Sequence, residues 1–270
     1  MPSASPSRAV DAHAHVFSAD APAVAGARYR PGYAARLEDW RALWAPAGVT
    51  HGVITQVSFF GTDNRELVTA IARAPEHLCG VAGVDPDCDD TTLEALGAAG
   101  VRALRMNLAG AGDFAAYATA PWQALFARAA RLGWHAEVFV DAGRAPELVA
   151  VFEGTPIALV LDHFGNPGAG ERGLEATLDA AARLACTREV WCKLSAPYRL
   201  AKGLDPARLA GRWLEVLGRD RLVWGSDWPW TRHEAGRNYG ELAASVDRWL
   251  PSAVAAAVLW DNPARLYRFA

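Results

Sequence analysis

The chain has 270 residues, 51% hydrophobic and 21% charged, with 27 Lys and Arg against 30 Asp and Glu for a formal net charge of -3. That balance describes a globular chain with apolar surface enough for a core, and it excludes extended disorder. It also lacks the basic footprint of a nucleic-acid or anionic-membrane binder, and its positive charge is almost all arginine, Lys193 and Lys202 being the only lysines.

One rhythm runs along the chain: a short apolar or β-branched run, a polar or Gly-rich turn, then a longer amphipathic stretch. The short runs are Arg8–His13, Gly52–Val57, Cys79–Val84, Val101–Met106, Trp134–Val140, Ile157–Leu161, Val190–Leu194 and Arg221–Gly225. The spacing between them predicts helices over Asp63–Ala74, Thr91–Ala99, Pro121–Leu132, Pro146–Phe152, Glu175–Leu184, Pro206–Leu217 and Tyr239–Leu250. Leu209, Trp213, Leu214 and Leu217 show the spacing of one buried helix face. Eight strands alternating with helices imply right-handed βαβ units and a parallel sheet. In about 250 residues that count fits a closed (β/α)₈ barrel, the α/β class, with residues 1–270 forming a single domain. An open doubly wound sheet is the alternative, but no Gly-rich phosphate turn follows the first strand. Ser18–Asp39 is long for a βα loop and reads as an excursion over the barrel mouth.

Four cysteines, none spaced as C-x-x-C, form neither a disulfide framework nor a zinc ribbon. The N-terminus has no apolar signal-peptide core, and no apolar run reaches about 18 residues, so a cytoplasmic protein is the default expectation.

In a barrel, chemistry sits at the C-terminal ends of the strands. Those ends carry His13 and His15, Gln56 and Ser58, Asp85, Arg105 and Asn107, Glu137, His163, Lys193 with Ser195, and Asp227. Polar side chains at one end of nearly every strand converge on one volume, which points to an enzyme. His13 and His15, two apart on a strand, share a face about 7 Å apart and can bind one metal ion or polarise one carbonyl. His163 ends an otherwise apolar strand, with Asp162 expected to point the other way. Asp227 stands among Trp224, Trp228 and Trp230, where poor solvation raises a carboxyl pKa and a cation or metal lowers it; it is the candidate general base. Its bland alternative is a helix cap. Arg105 and Arg199 are candidate anchors for a substrate carboxylate. Ser58, Tyr198 and Ser195 are candidate hydrogen-bond donors. Glu137 could face inward as a metal ligand or ion-pair partner, or outward beside His135. His51, His77 and His233 read as loop residues, His233 following strand 8 where it could reach the mouth, and the tryptophans mostly as packing.

Seven segments taken together resemble the amidohydrolase superfamily, in particular its amidohydrolase 2 group and the branch of 2-pyrone-4,6-dicarboxylate lactonases and sugar lactonases. They are Val10-Asp-Ala-His-Ala-His15, Gln56–Asn64, Gly100–Asn107, Leu161-Asp-His-Phe-Gly165, Lys193-Leu-Ser195 with Tyr198-Arg199, Trp224-Gly-Ser-Asp-Trp-Pro229, and Asp261–Tyr267. The resemblance implies that His13, His15 and His163 activate a lactone carbonyl or hold a metal. It implies that Asp227 takes a proton from the attacking water, and that Ser58, Arg105 and Arg199 bind substrate carboxylates, with Tyr198 and Lys193 as further contacts. The ligand set His13, His15, His163 and Asp227, with Glu137 as an additional candidate, suits one divalent ion such as zinc by type, and metal-free relatives keep the same four residues. Two departures bear on the substrate. The pyrone lactonases carry a further basic residue after the strand-4 arginine, where this chain reads Leu108-Ala-Gly-Ala-Gly112, so a dicarboxylate loses an anchor. Trp230 stands where relatives often have His. The expected reaction is hydrolysis of a carboxylated lactone. A metal-dependent non-oxidative decarboxylase and a catalytically silent ligand-binding barrel are the rivals, separated by product analysis and by an Asp227→Asn variant.

Overall fold

The computed structural model describes residues 8–20 and 23–270. Eight parallel strands pair in chain order: β1 Val10–Ala14, β2 His51–Thr55, β3 Leu78–Ala82, β4 Val101–Asn107, β5 His135–Phe139, β6 Ala158–Leu161, β7 Val190–Ser195 and β8 Leu222–Gly225. The ring closes where β8 meets β1. Beyond β8, Asp227 N–H donates to His13 O at 2.8 Å and His15 N–H to Trp228 O at 2.8 Å. Gly225 makes that seam possible, because a Cβ there would stand 2.5 Å from the Cβ of His13.

The helices are α1 Leu37–Arg41, α2 Arg65–Ile71, α3 Asp90–Ala98, α4 Ala120–Arg131, α5 Leu148–Phe152, α6 Gly170–Ala185, α7 Pro206–Leu217, α8 Tyr239–Ala243, α9 Ser245–Trp249, α10 Ser252–Ala256 and α11 Asn262–Tyr267. Their starts follow local chemistry. Asp205 accepts from Arg208 N–H ahead of Pro206, and Asp89 accepts from Thr92 N–H. Of the expected helices, the stretch from Tyr239 divides into α8 and α9, and α6 begins five residues early. Gly173, inside its first turn, lies against the Gly168 backbone, where a Cβ would approach to 2.5 Å. The excursion after β1 is pinched at its base by paired Phe17 and Ala35, and ends in α1.

Two apolar layers hold the barrel. Helices pack outside through residues such as Trp40, Leu125, Phe126, Leu209 and Trp213. Inside, the floor is filled by small or β-branched residues, Val10, Ala12, Val53, Val81, Ala103, Val160 and Val223, with Trp191 and Tyr267. Among the described residues no helix is long and apolar enough to cross a membrane.

Candidate active site

Strand alternation places Val10 and Ala12 inside the barrel and Asp11 outside, which would turn His13 outward as well. The β1–β2 register shifts between Asp11 and Ala14, and that irregularity brings His13 into the interior, where it meets Asp162, Lys193 and Asp227. Asp11, which the sequence did not single out, holds the shift in place. Its Oδ1 accepts the backbone N–H of Ser226 (2.8 Å) and of His13 (3.2 Å). Its Oδ2 accepts from Ser226 Oγ, Trp40 Nε1 and Tyr239 OH at 2.6, 2.9 and 3.0 Å.

A second backbone device presents His163. Asp162 continues the inward side set by Val160, and His163 and Phe164 then adopt φ of +54° and +56°, turning the imidazole back over the barrel. The expectation that Asp162 points away is therefore corrected: both residues serve the site, because the left-handed turn cancels the alternation. Phe164 O accepts from Trp213 Nε1 at 3.0 Å, so α7 fixes this turn. Asp227, Trp230 and Arg232 also have positive φ, at +58°, +63° and +71°. Such backbone costs on the order of 1–3 kcal/mol per residue and collects at functional sites.

Asp227 divides its two oxygens. Oδ2 accepts from Tyr198 OH and Arg199 Nε, both at 2.7 Å. Oδ1 faces three imidazole nitrogens: His15 Nε2 at 3.5 Å, His13 Nε2 at 3.7 Å and His163 Nε2 at 3.7 Å. Each ring is oriented from behind. His15 Nδ1 lies 2.8 Å from Thr55 O, an acceptor only, so Nδ1 carries the proton and Nε2 presents its lone pair. His163 Nδ1 pairs with Ser195 Oγ at 2.8 Å. His13 Nδ1 lies 3.3 Å from Asp162 and 3.1 Å from Lys193.

Burial pushes the His13 imidazole down to about 4, with Lys193 adding to the effect, and holds His163 well below the usual histidine range. Burial opposes ionisation of Asp227, but His163 and the Arg199 guanidinium hold its carboxyl well below the ordinary value. The tryptophan surroundings expected for Asp227 are not found: Trp224 packs against Tyr239 and Trp230 donates to Ser226 O. His15 thus aims a lone pair at an ionised oxygen, and His13 Nε2 is fully buried with no hydrogen-bond partner. Such a cluster calls for a positive charge, a proton or a metal ion, at its centre. Each imidazole brings a nitrogen to 3.5–3.7 Å from Asp227 Oδ1. His13, His163 and Asp227 offer atoms mutually within 4.8 Å, and His15 falls outside that mutually close set. The donor set fits a divalent ion.

Beneath this cluster lies a buried charge network. Lys193 pairs with Glu137 and lies 3.3 Å from Asp162, and all three side chains are fully buried. Glu137 also accepts from Tyr267 OH at 2.5 Å and lies 3.2 Å from His135. One expectation changes here. Lys193 does not line the cavity and is engaged by the carboxylates below it. Glu137 faces inward as an ion-pair partner of Lys193, held also by Tyr267 and His135, and it offers an oxygen within 4.8 Å of donor atoms of His13 and Asp162.

Above the cluster opens a cavity of about 140 Å³, lined by His15, Gln56, Ser58, Arg105, Asn107, Phe139, His163, Arg199 and Asp227, together with Arg28, Tyr29, Thr231 and Arg232. It suits one small ring. Arg105 pairs with Asp162 and Arg199 with Asp227, yet both guanidiniums reach the cavity. Tyr198 lies behind, between His233 and Arg237. Ser58 is at the wall; Asp85 is not, and lies on the outer flank in a cavity beside α2. That cavity, of about 730 Å³, and a neighbour of about 600 Å³ are larger but hold none of the converging histidines. His51 is no loop residue: it opens β2 at the opposite end of the barrel, buried against His77, Trp260 and Phe269. Arg28, Tyr29 and Arg232 were not foreseen, because loop residues carry no periodic signal.

Comparison with known proteins agrees with this architecture. The 2-pyrone-4,6-dicarboxylate hydrolase of Comamonas testosteroni is 33% identical over 97% of this chain and 90% of its own length. A Pseudomonas putida crystal structure assigned as a 2-pyrone-4,6-dicarboxylic acid hydrolase is 33% identical with a TM-score of 0.84 and covers 97% of both chains. One from Acinetobacter baumannii, described as a probable hydrolase of the same acid with citric acid bound, is 27% identical with a TM-score of 0.87 over 97% of this chain and 99% of that one. The family model described as amidohydrolase matches residues 10–269, nearly the whole span from the first strand to the last helix, and with the parallel ring of strands it places this chain in the amidohydrolase family.

Proposed function

We propose that the protein hydrolyses a carboxylated lactone. The observation that carries this reading is the division of Asp227: one oxygen is tied to Tyr198 and Arg199, the other aimed at three imidazoles on the floor of an arginine-lined cavity. The relatives named as hydrolases of a pyrone dicarboxylate support the same bond type.

Substrate enters at the C-terminal face of the barrel. Arg105 and Arg199 bind its carboxylate through guanidinium N–H groups not engaged by Asp162 or Asp227, and Ser58 donates at the wall. His13, His15 and His163 would hold a divalent ion, zinc by ligand type, with Asp227; when bound, it supplies Lewis acidity at the ester carbonyl. Asp227 Oδ1 takes a proton from the attacking water as the water oxygen bonds to the carbonyl carbon. A carboxylate held so low is a weak base, so this transfer goes with carbonyl polarisation rather than before it. The tetrahedral carbon then expels the ring oxygen, and Asp227 returns the proton to it, leaving a ring-opened acid. Tyr198 and Arg199 keep Oδ2 engaged, so Oδ1 alone handles the proton.

The test is to incubate purified protein with pyrone and sugar lactones and follow ring opening by absorbance and acid release, with CO₂ measured in parallel. Ring-opened acid without CO₂ is expected. Release of CO₂ instead, or no turnover of either lactone group, refutes the reading.

A further inference from the structure

The imidazoles of the Asp227 cluster are not held alike. Behind His15 Nδ1 stands Thr55 O, an acceptor only, at 2.8 Å, and it fixes the proton on that nitrogen. Behind His13 Nδ1 stands the opposite kind of group. The Lys193 ammonium, a donor with no lone pair, lies 3.1 Å away. A hydrogen bond from Lys193 needs a bare Nδ1 on His13. The one proton of the neutral ring then sits on Nε2, which faces Asp227 Oδ1 at 3.7 Å. His15 thus presents a lone pair to this oxygen, and His13 an N–H.

The other tautomer of His13 has its partner in place too. Asp162 Oδ1 lies 3.3 Å from His13 Nδ1, is fully buried and makes no hydrogen bond. The second oxygen of Asp162 is taken by Arg105, and Lys193 is anchored by Glu137 whichever way the ring is protonated. With the proton on Nδ1, Asp162 Oδ1 gains a donor and the buried Nε2 offers a lone pair to a cation. His13 therefore stands between a group that can only donate and a group that can only accept, and each selects a different tautomer.

We infer that Lys193 is a positioning residue that holds His13 as an Nε2–H donor, and that His13 ligates a divalent ion only as its proton passes to Nδ1, facing Asp162. Lys193 restrains the affinity of the cluster for a metal, and Asp162 supports it. Groups behind a metal-binding histidine change metal affinity by about 10–100-fold, because they decide which ring nitrogen is bare. The inference rests on His13 serving the Asp227 cluster, as in the hydrolase reading, but not on any ester being opened.

The experiment follows the ring nitrogens by NMR in full-length protein carrying isotope-labelled histidine and stripped with a chelator, the His13 signals being identified by their loss in His13→Gln. In stripped wild type, a bare Nδ1 and a protonated Nε2 are expected on His13, and a protonated Nδ1 once zinc is added. In Lys193→Met the proton is expected on Nδ1 before zinc is added. Zinc competition against a chromogenic chelator should then give binding about 10–100-fold tighter than wild type. A proton on Nδ1 in stripped wild type, alone or with one on Nε2, overturns the inference, and this measurement decides it even where Lys193→Met does not fold. A folded Lys193→Met that keeps Nε2–H, or that binds zinc no more tightly than wild type, also overturns it. Tautomers as expected in a protein that opens no lactone would refute the hydrolase reading and leave this one standing.

Discussion

Replacing Lys193 by Met removes the one cation between two buried carboxylates. Lys193 Nζ pairs with Glu137 and lies 3.3 Å from Asp162, with none of the three side chains exposed. At 3.3 Å and an effective dielectric near 20, one such attraction is worth about 5 kcal/mol, but that gross figure is opposed by desolvation. Breaking a buried pair by removing one partner typically costs about 3–5 kcal/mol, because the other charge is left uncompensated. Arg105 still neutralises Asp162, so the stranded charge is Glu137. For a chain of 270 residues, about 2 °C per kcal/mol gives a midpoint lowered by roughly 6–10 °C. The assay is a double-mutant cycle by denaturant and thermal unfolding with Lys193→Met, Glu137→Gln and both together. Gln still accepts from Tyr267, so the double variant should recover at least about 2 kcal/mol relative to the sum of the singles. Additive losses would mean that Lys193 and Glu137 do not act on each other, and the account of the barrel interior would be wrong.

Asp227→Asn should lower kcat on any lactone the wild type opens by about 10²–10⁴-fold, since the amide keeps the shape but cannot take the proton; stopped turnover assays check it, and near-wild-type kcat would refute the base assignment. Elemental analysis checks the donor cluster: any zinc found at near one ion per chain should fall at least tenfold in His163→Ala, and zinc retained in that variant would place the ion elsewhere. Asp11→Asn sets an amide against donors from Ser226, Trp40 and Tyr239 and should cost about 1–3 kcal/mol, with turnover falling too as the β1 irregularity relaxes; stability lost with turnover intact would contradict its tie to His13. His51 is held at about 4 by burial, then by His77 and Arg8, so the unfolded chain takes up its proton first. Stability due to this group is full above the unfolded value near 6.5 and is lost as pH falls toward 4; in His51→Gln that part of the acid sensitivity should vanish from unfolding midpoints measured between pH 7 and 4.

The strand–helix rhythm was legible because barrel strands are short apolar runs and the helices have one buried stripe each. The candidate site was legible where a strand end carries an unusual side chain, as at His13, His15, His163, Arg105 and Asp227, which the fold brings together. What escaped was set by backbone detail or by three-dimensional neighbours. The β1 register shift and the positive φ of His163 both overturn simple alternation, and neither leaves a residue pattern to read. Lys193 and Glu137 sit on inward positions like the cavity-facing residues, but one layer deeper, and depth along a strand depends on stagger that no single sequence reveals. Arg28 and Arg232 belong to irregular loops, so only coordinates bring them to the mouth. The segment Tyr239–Leu250, one helix by spacing, is cut into α8 and α9.

The seam between β8 and β1 joins parts of the chain 214 positions apart, His13 and Asp227, through Asp227 N–H and His13 O. Such a contact forms late and slowly in folding, since the intervening loop must be closed before it contributes. No half-barrel fragment holds the full donor set, so cation or ligand capture reports on the completed ring and not on any part of it. Whatever binds there stabilises the whole fold by mass action, by about 2.7 kcal/mol at a hundred times its dissociation constant. Thermal shift is for that reason a direct screen for the ligands of this protein.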